Sequence, residues 1–157
     1  MENWTWSLSL IVITIVIHAT GIAFMALVLH EVRDRIHGKG VWARRRALTI
    51  LIGLIGATGL LLAVLHGLEA GIWAIAYRWI GALRSPAEAM LFSIDSITTL
   101  GASGPMLEQR WRIMGALEAA DGMLLFGIST AFIFAVMQAY SPLIIANRHR
   151  LEHLVPE

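Results

Sequence analysis

No cysteine occurs anywhere in the chain, which excludes disulfides, thiolate metal sites and thiol-based catalysis and leaves no disulfide-linked partner to expect. Charge is scarce too: Asp, Glu, Lys and Arg make up 15% of 157 residues, against 57% hydrophobic residues and a mean hydropathy of +0.71. That balance lies outside the ordinary soluble globular range and implies a protein embedded in a lipid bilayer. An excess of one sign is also missing. Twelve Lys and Arg against eleven Asp and Glu leave a formal net charge of +1, which gives no basis for nucleic-acid binding. The N-terminal apolar run lacks the basic start of a signal peptide and exceeds the ~7–15 residues of a signal core, so it reads as a retained transmembrane helix. No internal repeat or low-complexity tract is evident.

What is present is a set of long apolar runs. Trp6 to Leu29 spans 24 residues without a charged side chain, roughly 36 Å as a helix against a hydrocarbon core of about 30 Å. A short basic loop follows, with Arg33, Arg35, Lys39, Arg44, Arg45 and Arg46, and Gly38 and Gly40 interrupt helical continuity there. Leu48 to Ala76 is the second span, broken only by His66 and Glu69. Ile113 to Tyr140 is the third, with Glu118 and Asp121 near its start and Pro142 placed as a helix stop. The basic loop, with Arg148 and Arg150 in the tail, marks the cytoplasmic side, which puts the N terminus outside. Trp4, Trp6, Trp73, Tyr77, Trp79 and Trp111 fall near the outer boundary, as an interfacial aromatic belt would. Gly53, Gly56 and Gly59 lie within an apolar helix with no preceding strand, so they read as a groove for close approach of a neighbouring helix and not as a nucleotide fingerprint.

Between the second and third spans the pattern changes. Ser85-Pro86-Ala87-Glu88 has the form of a capping box, with Ser85 as N-cap, Pro86 at the first helical position and Glu88 three residues on. The helix it starts, 86–97, is about 18 Å long, too short to cross a bilayer but long enough to reach its middle. Thr98-Thr99-Leu100-Gly101-Ala102-Ser103-Gly104-Pro105 follows and does not favour continued helix. Irregular backbone at membrane depth is tolerated where it is buried in protein or lines a water-filled cavity. A tight external turn is the plainer alternative.

The order span, short capped helix, Thr-Thr-Leu-Gly, span resembles the pore module of potassium channels. Ala89 to Ile94 is similar to that family's pore helix, and Thr98, Thr99, Leu100 and Gly101 match the first half of its filter signature. Short bacterial members are also similar in Trp73-Ala74, in Trp111-Arg112 and in the run Gly122 to Ala131, so the likeness covers about Leu65 to Gln138. The resemblance implies an all-α membrane protein with three transmembrane helices, a re-entrant pore helix and a filter loop, assembled as a homotetramer in a bacterial inner membrane with a cytoplasmic C terminus. It divides the chain into an N-terminal helix with its basic loop (1–46), a pore module (47–141) and a short tail (142–157).

On that reading the chain is not an enzyme and has no cofactor beyond a permeating potassium or sodium ion. The ion is met by Thr99, Leu100, Gly101, Ala102, Ser103 and Gly104, with the monovalent cation held chiefly at Thr99, Leu100 and Gly101. Asp95, Thr98 and Glu88 are filter support. Gly122 and Gly127 are candidate gate hinges, and Thr130, Phe134 and Met137 share a helical face suited to lining the pore.

The departures matter as much. Ala102-Ser103-Gly104 stands where the family has Tyr-Gly-Asp, which removes the bracing ring and the acid at the outer mouth. A weakly selective or divalent-permeable channel, a non-conducting regulatory subunit and a histidine-based redox protein are the alternatives. His18 counts as about 18 Å below Trp6, whereas His66 and Glu69 fall near the outer end of the second span. A shared site of His18 with His66 is therefore not expected, although His66 and Glu69, three apart, can bond one another.

Overall fold

The computed structural model describes residues 2–37, 44–101 and 106–152. Four α-helices follow one another: α1 (Glu2–His37), α2 (Arg44–Trp79), α3 (Pro86–Ile97) and α4 (Arg112–Glu152), the last entered through a single 3-10 turn at Gln109–Trp111. No strand occurs among the described residues. Three stretches, Trp4–Arg35, Leu48–Trp79 and Gln109–Ser141, are long and apolar enough to cross a membrane. A helix suits that setting because it satisfies its backbone polar groups internally. Only 17%, 17% and 28% of the respective apolar windows is buried inside the chain, so most of their surface needs lipid or another chain against it.

The C-terminal boundary differs from the sequence expectation. Pro142 does not stop α4, which continues to Glu152. Proline has no N–H for the carbonyl four residues back, here Gln138. The Ser141 hydroxyl donates to that carbonyl at 3.2 Å and supplies the missing bond.

The chain forms two compact units, each drawing on α1, α2 and α4. The first comprises 1–21 and 63–128 and contains α3. Its larger core joins Leu10, Trp73, Tyr77, Phe92, Trp111 and Met114, with Phe92 edge-on to Tyr77 at a centroid distance of 5.2 Å. A smaller core joins Ala70, Ile97 and Leu125. Trp73 and Tyr77 are thus wholly buried and Trp111 nearly so, which corrects their assignment to an interfacial belt. Trp4, Trp6 and Trp79 remain exposed. The bulk of an indole or phenol ring fills a gap between helices as readily as it anchors a headgroup layer.

In the second unit, 22–62 with 129–157, the Tyr140 hydroxyl donates to the Leu29 carbonyl, linking α4 to α1. Gly53, Gly56 and Gly59 have nothing within 4 Å of where a Cβ would stand. Among the described residues no helix occupies that groove, contrary to the close packing expected if the partner were in the same chain.

Candidate functional site

The short helix is built as its caps dictate. The Ser85 hydroxyl accepts from the Glu88 amide at 3.5 Å, and Pro86 opens the helix. At the other end α3 closes in a Schellman arrangement: the Thr99 amide donates to the Ser96 carbonyl at 2.9 Å and the Leu100 amide to the Asp95 carbonyl at 2.9 Å. This closure puts Thr99 at φ 58°, left-handed space normally left to glycine. For a β-branched residue that conformation is strained by ~1–3 kcal/mol, and such outliers concentrate at functional sites. Gly101 follows at φ 84°, with Leu100 between them at negative φ. Handedness therefore alternates from Thr98 to Gly101.

Ile97, at the end of α3, lies against Gly122 of α4. A Cβ on Gly122 would come within 2.8 Å of the Ile97 carbonyl carbon and side chain, and closer still to its oxygen. Gly122 is thus a packing residue, whereas Gly127 has nothing within 4 Å of a Cβ position. Asp95 is buried and lines an open cavity of about 380 Å³ with Phe92, Thr99, Gly101 and Arg112. Thr98 bonds the Ile94 carbonyl through its hydroxyl at 2.6 Å. Glu88 is exposed at the start of α3, about 15 Å from Thr98 by helical rise, so its support of the loop is confined to the cap. Thr130, Phe134 and Met137 are exposed on α4. Ala102, Ser103 and Gly104 lie outside the described residues.

A second cluster, which the sequence analysis does not contain, joins α1, α2 and α4. Glu69 bridges two histidines through its two oxygens: Oε1 lies 2.8 Å from His18 Nδ1 and Oε2 lies 3.1 Å from His66 Nδ1. The imidazole centroids are 5.1 Å apart, and Phe126 stacks on His66 at 4.2 Å. His18 and His66 do share a site, which overturns the depth argument. The second span continues to Trp79, so His66 is 13 residues from that end of α2 and His18 is 12 from Trp6. At 1.5 Å per residue those depths are about 20 and 18 Å, effectively level.

The cluster continues toward the N-terminal end of α1 in steps of one helical turn. One turn from His18 on α1 and from Glu69 on α2, Asp121 Oδ2 accepts from the Thr14 hydroxyl at 2.7 Å and the Trp73 indole at 3.2 Å. One turn further, Glu118 accepts from the Tyr77 hydroxyl at 2.7 Å and from the Ser93 hydroxyl of α3. Ser93 also reaches the Ala70 carbonyl at 2.7 Å, so the ladder holds α3 as well as joining α1, α2 and α4. Glu69, Glu118 and Asp121 are fully buried. Polar groups removed from water are costly unless bonded, so this ladder fixes how the helices rotate against one another.

Its signal was available in the sequence. Ser7, Thr14 and His18 on α1, and Glu69, Trp73 and Tyr77 on α2, recur at spacings that keep each set on one helical face. Comparison with family models, curated proteins and solved structures finds no match to this chain.

Proposed function

We propose that the chain is one subunit of a tetrameric channel that passes monovalent cations through a loop following α3, and that it performs no covalent chemistry. The observation that carries this reading is the end of α3. A twelve-residue helix ends with Ile97 packed against Ala70 and Gly122, each about 15 Å along a flanking span, where neither span has ended. The backbone then leaves with alternating handedness at Thr98, Thr99, Leu100 and Gly101. Residues of alternating hand turn successive carbonyls toward one side of a chain, the disposition needed to replace the water around an ion. The partial negative charge at a helix C terminus also favours a cation there.

One loop per chain cannot surround an ion, so four copies are required on this reading. The apolar surface left uncovered along all three spans accommodates both neighbouring subunits and lipid. With the basic residues at the end of α1 and the start of α2 inside, the N terminus is outside, and the resemblance to short bacterial channels implies a bacterial inner membrane.

A second reading keeps the architecture and alters the selectivity. Ala102-Ser103-Gly104 lacks the tyrosine ring that would brace the loop from behind, so potassium and sodium should be poorly separated. Purified protein reconstituted in liposomes is the test, with reversal potentials measured under bi-ionic potassium and sodium. A tetramer that carries cation current with a small potassium-to-sodium shift supports the proposal. A stable monomer, or a tetramer that passes no cation, overturns it in favour of a non-conducting subunit.

A further inference from the structure

We propose that His18, His66 and Glu69 form a binding site for a zinc-class divalent metal ion, buried among the apolar stretches of the chain. The inference stands apart from the channel reading and uses none of the loop residues. Each of the three side chains offers a ligand atom, and these atoms lie within 4.8 Å of one another. Two of the separations, 2.8 Å and 3.1 Å, are already close to the roughly 3.4 Å between neighbouring ligands of a tetrahedral ion with bonds of about 2.0–2.1 Å. The ion would take the place of the hydrogen bonds between the Nδ1 atoms and the carboxylate, with each neutral ring ligating through Nδ1 as its Nε2–H tautomer.

Charge argues for a cation at this place. Glu69, Asp121 and Glu118 are fully buried, yet the runs 6–29, 48–76 and 113–140 contain neither Lys nor Arg. His18 and His66 are the only side chains in those runs that can carry positive charge. One oxygen of Asp121, Oδ1, is buried without a hydrogen-bond partner, although Oδ2 has two. An unbonded carboxylate oxygen in an apolar interior is costly, and a doubly charged ion one turn away offsets both carboxylates, Glu69 and Asp121, at once.

The donor set selects the kind of ion. Two imidazole nitrogens with one carboxylate suit zinc and its first-row neighbours, whereas calcium and magnesium favour oxygen ligands throughout. The surroundings suit the site: Phe126 stacks on the His66 ring, and Thr14 and Trp73 fix Asp121, a carboxylate one turn from the ligands. His66, with 10% of its side chain exposed, provides the open edge of an otherwise closed cluster.

The test uses the full chain in detergent, stripped with a chelator and then titrated with zinc, with cobalt as a coloured substitute. About one tightly held equivalent per chain is expected, with a thermal midpoint that rises with the logarithm of free zinc and a visible cobalt spectrum of tetrahedral type. His18→Gln and Glu69→Gln should abolish the uptake. Asp121→Asn, which removes a buried negative charge one turn away without touching a ligand, should weaken it without abolishing it. His66→Cys should retain zinc while His66→Gln does not, because a thiolate replaces an imidazole as a ligand but not in a hydrogen-bonded triad.

If the variants do not fold, the zinc-dependent shift of the unaltered protein still decides. Absence of saturable uptake and of any thermal shift in the unaltered chain means the triad is held by protons alone, and the proposal fails. Uptake that survives both His18→Gln and Glu69→Gln also refutes it, since exposed histidines such as His30 would then be responsible.

Discussion

Gly122 and Gly127, five residues apart on α4, both read as hinges in the sequence, yet their surroundings make opposite demands on a methyl group. In Gly122→Ala the new Cβ would stand 2.8 Å from the Ile97 carbonyl carbon, where ordinary contact begins at 3.4 Å. The oxygen is nearer still, and backbone cannot rotate aside as a side chain can. The end of α3 must therefore move by about an ångström, and overpacking of this kind costs roughly 1–3 kcal/mol. Because Thr99 and Leu100 bond directly to Ser96 and Asp95, the displacement passes into the loop. In Gly127→Ala the methyl meets nothing within 4 Å among the described residues, and the helix gains up to about 1 kcal/mol of intrinsic preference.

Equilibrium unfolding in mixed detergent and cation flux in liposomes read the two effects. Gly122→Ala should lose stability and flux together, and Gly127→Ala should hold or gain stability. If Gly122→Ala unfolds at the unaltered midpoint, α3 does not press on α4 as described. A flux defect in Gly127→Ala without loss of stability would assign the hinge to Gly127 alone.

Thr99→Gly removes a β-branched residue from left-handed backbone and should stabilise the fold by about 1 kcal/mol while lowering cation flux, if the hydroxyl meets the ion; thermal midpoint and conductance measure the two sides. Tyr77→Phe removes a bond to buried Glu118 and should cost about 1–3 kcal/mol in denaturant unfolding, whereas Trp79→Phe at an exposed position should change little. Asp95→Ala should disturb flux and assembly more than Asp95→Asn, which keeps the size and much of the bonding capacity; equal, negligible effects would remove Asp95 from the support of the loop. Ser141→Ala withdraws the hydroxyl from the Gln138 carbonyl beside Pro142 and should reduce amide protection against hydrogen exchange in α4 on both sides of the proline.

Local information sufficed for much of this protein. The presence of three apolar helices long enough to cross a membrane, the cap at Ser85 and Pro86, and the end of α3 at Thr98 are set by residues within a few positions of one another, and the structure agrees with them, although each span runs longer than its uncharged core. The bond between His66 and Glu69 belongs to the same class. Pro142 does not end α4 because its neighbour Ser141 restores the lost bond, a compensation that a proline rule does not carry.

The buried ladder depended on more. Whether Trp73 faces lipid or Asp121, whether His18 meets Glu69 across 51 residues of chain, and whether Gly122 bends or packs depend on the rotation and relative depth of separate helices. Each amphipathic face was legible alone, but a face says only that something must cover it. The tertiary structure decided the partner, because a buried polar group is satisfied only when two faces arrive at the same depth with matching donors and acceptors.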